Sequence, residues 1–280
     1  WKSKMRPEDY PPQEPFSELG ARHQKEIASR IAGIEGENVI IGENPYQSVV
    51  VYPADQPTGA VIGLMHGGGW TNGYKEWMAI MAPGLNARGV TVVSIGYRLA
   101  PQHVYPACFD DCADAVAWMY KSIAKWGGDP DRIYVCGHSA GGHLAALLAL
   151  KTDWQSKRNL PATVIKGALP ISGTFQFGPE SGLSMRPRFL GDPANNAEVD
   201  ASPQTHLRAD APPFHVSYGT KDFPHLIKQS EKFAADLEKI GVMVETLALN
   251  ECDHLGASYA AGEQDGHWVK SAVKFMNSGT

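Results

Sequence analysis

The stretch Arg132-Ile-Tyr-Val-Cys-Gly-His-Ser-Ala-Gly-Gly-His-Leu-Ala-Ala-Leu-Leu-Ala149 decides the fold of this chain. It joins an apolar, β-branched run at 132–136 to a helix-forming run at 140–151 through Gly137-His138-Ser139-Ala140-Gly141. A Gly-x-Ser-x-Gly turn between a strand and a helix holds its serine in a strained conformation, and its glycines let neighbouring backbone pass close by. The pentapeptide alone is a weak pattern, so the flanking strand and helix carry the weight. They make Ser139 the candidate nucleophile, raised above a strand, with the positive end of a helix dipole facing it.

Outward from this turn, short β-branched runs alternate with longer helical patterns. Strands are expected at 38–41, 48–52, 60–66, 90–95, 132–136, 164–171, 214–218 and 242–249, and helices at 75–88, 108–125, 140–151, 224–240 and 263–276. The helix at 224–240 has the clearest period, with Leu226, Ile227, Phe233, Leu237 and Ile240 on one face and Lys228, Glu231, Lys232, Glu238 and Lys239 on the other. This alternation predicts an α/β fold, a mostly parallel eight-stranded sheet with helices on both faces. One domain over 1–280 accounts for it, with the proline-rich 1–36 and the Gly/Pro/Ser/Asn-rich 172–213 as candidate cap or lid segments.

The run at 60–65 leads directly into His66-Gly67-Gly68-Gly69-Trp70. Three successive glycines are entropically costly and are tolerated where bare N–H groups must converge on a ligand. Gly68 and Gly69, with Ala140, are the expected oxyanion donors, while His66 is expected to brace the loop. A serine hydroxyl also needs an imidazole to take its proton and a carboxylate to orient that imidazole. Asp222 follows the strand ending at Tyr218, and His254 follows the strand ending at Leu249, expected in a loop. Asp253 and Asp210 compete less well for the acid, and His138, His143, His225 and His267 for the base. Trp70, Phe175, Phe177 and Phe189 are candidate substrate contacts. The acidic residues Asp110, Asp111 and Asp114 read as the opening of a helix, and 127–131 as a turn before a strand.

Bulk properties narrow the classes. A net charge of −5 leaves no basic surface for a nucleic-acid backbone, and no apolar stretch approaches the roughly 20 residues that span a bilayer. A soluble protein with neither a nucleic-acid nor a membrane partner is expected. Cys108, Cys112, Cys136 and Cys252 form no CxxC pair and read as reduced thiols, which points to a cytoplasmic location. The chain opens at Trp1 without an initiator Met, so upstream residues are expected to have been removed or left out.

Three blocks carry a family resemblance: His66-Gly-Gly-Gly-Trp70; Tyr97-Arg-Leu-Ala-Pro-Gln-His103 with Pro106 and Asp110-Asp111; and Gly137-His-Ser-Ala-Gly-Gly-His-Leu-Ala145. They resemble the hormone-sensitive-lipase group of α/β hydrolases and, within it, arylformamidases (kynurenine formamidases) and small bacterial esterases. Weaker likeness runs from about Pro11 to the C-terminus. His138 and Gln102 depart from the lipase pattern, which has Asp and Glu there; Gly69 and Leu255 depart from the formamidase one. The resemblance and the residues together imply hydrolysis of a small carboxylic ester through an acyl-enzyme, with no metal or cofactor. An arylformamidase-type amide hydrolase is the alternative, and a non-catalytic ligand receptor on the same fold is the rival from another class. A homodimer is the commonest closed assembly for such a chain.

Overall fold

A computed structural model describes residues 5–278. The first four positions of the expected 1–36 cap, Trp1 among them, and the last two of 1–280 lie outside the described residues. Every expected strand forms: β1 (Glu37–Ile40), β2 (Ser48–Tyr52), β3 (Gly59–Met65), β4 (Thr91–Ile95), β5 (Gly128–His138), β6 (Ile165–Ile171), β7 (Phe214–Gly219) and β8 (Val244–Leu249). They make one eight-stranded sheet in the order β1-β2-β4-β3-β5-β6-β7-β8. β2 runs antiparallel to both its neighbours, and all other pairs are parallel.

Side chains alternate across each strand, so each strand feeds two apolar layers. Val61, Met65, Val93, Ile95, Ile133 and Val135 enter one layer, and Ile62, Leu64, Val92, Tyr134 and Cys136 enter the other. The first layer is completed by the helix at Ala107–Ser122, the helix at Ala140–Leu150 and Phe233, Ala234 and Leu237 of the helix at Pro224–Lys239. The second is completed by Ile27 and Ile31, the segment 75–85, and Trp268, Val269, Ala272 and Phe275 of the last helix. Helices therefore cover both faces.

In chain order the helices are α1 (Glu18–Arg30), α2 (Ala82–Asn86), α3 (Ala107–Ser122), α4 (Ala140–Leu150), α5 (Asp153–Ser156), α6 (Ala197–Ala201), α7 (Pro224–Lys239), α8 (His254–Ala261) and α9 (His267–Asn277). α4 is buried along its whole length, which its composition, apolar except for the hydrogen-bonded His143, permits. Burying each of its leucines stabilises the fold by roughly 1.5–3 kcal/mol.

Several expectations are corrected. The single helix expected at 75–88 is a 3₁₀ segment (Lys75–Met81) followed by short α2, because Pro83 offers no N–H to continue an α ladder. The helix expected from 263 begins at His267, and 263–266 closes a turn through Gly266 N–H to Glu263 O. On α7, Ile240 ends the helix 36% exposed and is not part of the buried stripe. The segment 172–213 is a series of 3₁₀ turns around α6, and the expected N-terminal cap contains α1.

β4 and β5 flank β3 on opposite sides, so the winding of the chain reverses at the β3/β5 pair. A crevice opens at the carboxyl ends of strands where winding reverses. The His66-Gly-Gly-Gly loop leaves β3 there and the Ser139 turn leaves β5 beside it, with Met65 paired to Gly137.

Candidate active site

Ser139 joins β5 to α4 with φ 57° and ψ −118°. Such a backbone costs a non-glycine residue about 1–3 kcal/mol, so its surroundings must impose it. Ser139 N–H donates to Ile171 O at the end of β6 (2.9 Å), which ties the turn to the sheet. On the other side, a Cβ at Gly141 would stand 2.0 Å from Met65 O. The turn closes onto β3 only because position 141 carries no side chain.

His254 was expected in a loop; it is the first residue of α8. Asp253 caps that helix, accepting Gly256 N–H at 2.7 Å, and this draws its carboxylate away from the imidazole. His254 instead bridges two other groups. Its Nδ1–H donates to Asp222 Oδ1 (2.9 Å), and its Nε2 accepts from Ser139 Oγ (2.9 Å). This His–Asp dyad is positioned as in catalytic triads, and the arrangement is that of a serine hydrolase. Burial would raise the Asp222 carboxyl; the hydrogen bond and charge of His254, helped by Phe223 N–H, outweigh it and hold the carboxyl below its ordinary range.

The competing residues are occupied elsewhere. Asp210 is exposed and paired with Arg208 at 2.9 Å. His138 Nε2 donates to His254 O (2.8 Å), and His143 accepts from Trp70 Nε1 (3.0 Å) while donating to Ala201 O (2.7 Å). Burial first, then the nearby His254, keeps His138 well below the ordinary histidine range, and burial lowers His143 to about 4. His225 is half-buried on α7, and His267 opens α9.

In the loop after β3, Gly68 and Gly69 adopt φ 122° and 63°. A Cβ at Gly68 would stand 2.0 Å from Asn72 O, so this turn requires glycine. Their N–H groups donate to no backbone acceptor among the described residues. Ala140 N–H lies in the first turn of α4, where no intrahelical acceptor exists. His66 is fully buried beneath them, donating from Nδ1 to Gly67 O (2.7 Å) and stacking on Tyr97 at 4.2 Å.

A cavity of about 370 Å³ opens over Ser139 and His254. Trp70, Phe175, Phe177 and Phe189, the rings expected at the substrate, do not line it. Trp70 stacks on Phe189 at 4.1 Å and meets Phe177 edge-on, while Phe175 stacks on Phe233 at 4.1 Å, all in the core. The rings that do line the cavity are Phe16, Trp77 and Phe223, with the imidazoles of His23, His138 and His254.

Much of the wall comes from residues 14–23, which sequence reasoning left unassigned within the cap. They are held against the glycine loop by polar contacts. The Gln13 side chain both accepts from Gly73 N and donates to Gly73 O at 2.9 Å, and Asn72 donates to Glu14 O at 2.5 Å. Glu14 also pairs with Arg188 from the 172–213 segment. His23 accepts or donates at Tyr259 Oη (3.2 Å), and burial, then the charge of His254, lowers it to about 4.

Among the described residues no group of three or more His, Cys, Asp or Glu is placed to hold a metal ion, and no helix is long and apolar enough to cross a membrane. All four cysteines are free.

The BD-FAE family matches residues 50–237, a span that includes the glycine loop, the Ser139 turn and Asp222. The chain belongs to the BD-FAE family. This BD-FAE chain is 30% identical to Esterase LipC of Mycobacterium tuberculosis over 277 residues, which is 91% of this chain and 66% of LipC. It is 28% identical to kynurenine formamidase of Salmo salar over 253 residues, 85% of this chain and 81% of that one. It spans about half to two thirds of the length of its first esterase relatives. Among solved structures, an esterase of Pyrobaculum calidifontis superposes with TM-score 0.75 at 24% identity, covering 93% of this chain and 92% of that one; this likeness is one of fold.

Proposed function

We propose that this protein hydrolyses small carboxylic esters through an acyl-enzyme. Ser139 Oγ attacks the carbonyl carbon, and His254 Nε2 takes its proton and returns it to the leaving alkoxide. Asp222 holds the Nδ1 tautomer and stabilises the imidazolium. Gly68, Gly69 and Ala140 N–H stabilise the tetrahedral oxyanion, and water then releases the acid by the reverse steps. The observation that carries this reading is the bridge of His254 between Ser139 Oγ and Asp222 Oδ1, each at 2.9 Å.

The cavity supports a small substrate with an apolar body, since Phe16, Trp77, Phe223 and Leu255 face the same space as Ser139. Within one hydrolase unit, residues 14–23 and Arg188 serve as the cap that defines this space. Hydrolysis of an aryl formamide is the second reading, favoured by the likeness to a kynurenine formamidase over most of both chains.

The test is a panel of p-nitrophenyl esters of increasing acyl length beside formanilides. Ester turnover is expected to exceed formanilide turnover, and Ser139→Ala should lower it by about 10⁴ to 10⁶. Preference for the formanilide would replace the first reading by the second; an active Ser139→Ala protein would remove both.

A further inference from the structure

Asp222 holds His254 with one carboxylate oxygen only. Oδ1 receives His254 Nδ1–H and Phe223 N–H (2.6 Å), whereas Oδ2 is buried and has no hydrogen-bond partner. A second orphan lies at the end of the strand next to the one that leads to Asp222. Ser172 is fully buried, its Oγ has no partner either, and it directly follows β6, whose end pairs with β7 beneath Asp222. Ser172 N–H donates to Ser217 O (2.8 Å), which fixes its backbone against β7.

Its backbone is also unusual. Ser172 has φ 50°, a left-handed conformation that glycine adopts without strain, and the next residue is Gly173. A serine kept in that conformation, fully buried, with its hydroxyl used by no other group, is doing something a glycine could not. A buried carboxylate oxygen without a donor is costly, and a hydroxyl rotates freely about its Cβ–Oγ bond to supply one.

We propose that Ser172 is a positioning residue for the catalytic reaction: its hydroxyl donates to Asp222 Oδ2 and fixes the carboxylate, and through it the ring of His254. The proposal rests on the ester-hydrolase reading of the site. The other titratable groups facing Asp222 are His254 on α8, His138 at the end of β5 and His225 on α7. Burial lowers both His138 and His225, so neither brings a positive charge to Oδ2 at neutral pH. Such a donor would add to the groups that hold the Asp222 carboxyl below its ordinary range.

Ser172→Gly separates strain from hydrogen bonding, because it relieves the backbone while deleting the hydroxyl. Ser172→Ala deletes the hydroxyl and keeps the strain. Each is assayed per active site, counted by stoichiometric labelling with a fluorophosphonate, so unfolded protein does not enter the rate. Both variants should lose roughly 10-fold to 100-fold in kcat with little change in KM. In both, the acid limb of the kcat/KM profile should move to higher pH, since a carboxylate without this donor holds protons more tightly. Ser172→Gly should melt at or above the wild-type temperature. Wild-type kcat and an unmoved acid limb in Ser172→Gly would overturn the proposal, as would a defect confined to Ser172→Ala. Ser139→Ala is run beside them: if it stays active, the reading of the whole site has failed, not the role of Ser172 alone.

Discussion

At the carboxyl ends of β3 and β5, the glycine loop and Ser139 are set by the backbone of two paired strands, whereas much of the wall facing them comes from side chains of residues 14–23 and from Arg188. The first region tolerates almost no change. A Cβ at Gly141 would collide with Met65 O, one at Gly68 would collide with Asn72 O, and Ser139 holds a left-handed φ of 57°. The second is joined by side-chain hydrogen bonds and an ion pair that leaves Arg188 58% exposed. Under the proposed function, this contrast would divide catalysis at the strand ends from selectivity at the wall.

The largest effect that would break this division concerns the acid. Asp222→Asn should lower kcat by about 10⁴, because an amide no longer fixes the tautomer of His254. Near-wild-type turnover of p-nitrophenyl acetate by that variant would move the acid elsewhere.

Protonation tests the buried histidines of both regions, and His215 on β7, without mutation. Burial lowers His66, His143 and His215 from 6.5 to about 4, and burial with His254 does the same to His23. Their folded forms reject protons that the unfolded chain accepts, so stability is full above pH 6.5 and falls as pH drops toward 4. Each such histidine removes about 1.4 kcal/mol per pH unit across that window. Thermal melts at stepped pH should show a steep decline there, and a flat profile would contradict the neutral buried rings.

A smaller loss is expected at the glycine loop. Gly68→Ala places a methyl against Asn72 O and displaces the loop, which should cost about 10² to 10³ in kcat if its N–H stabilises the oxyanion. An unchanged kcat would remove Gly68 from that role.

The smallest change sharpens the other side. Glu14→Gln breaks an ion pair at the cavity rim, worth at most about 1 kcal/mol to stability. Melting should scarcely shift, KM for longer acyl chains should change, and kcat for acetate should stay the same. A large fall in kcat would show that the wall takes part in the chemistry.

The two regions also differ in how far the sequence reveals them. Ser139, Asp222 and the glycine loop are legible because each follows an apolar strand and each needs a residue type that few other contexts demand. α1 was not legible, since only His23 and Ile27 of its thirteen residues are buried and no apolar stripe marks it. Its signal was Ser17, whose Oγ accepts Gly20 N–H at 3.1 Å and starts the helix. α8 was obscured by Gly256 in its first turn, although Asp253 is a good cap. The four aromatic residues expected at the substrate were misplaced for a different reason. Ring type alone does not separate a ring that stacks on another ring in the core, as Trp70 does on Phe189, from one that faces open space.

The pairing of Met65 with Gly137 gives anyone who wishes to retune this protein a practical boundary. Because the loop and the serine turn leave adjoining strands in fixed register, randomised libraries at positions 14–23 and 188 would, under the proposed function, explore new selectivities without dismantling the reaction centre, whereas libraries at 65–69 or 137–142 would return mostly dead clones.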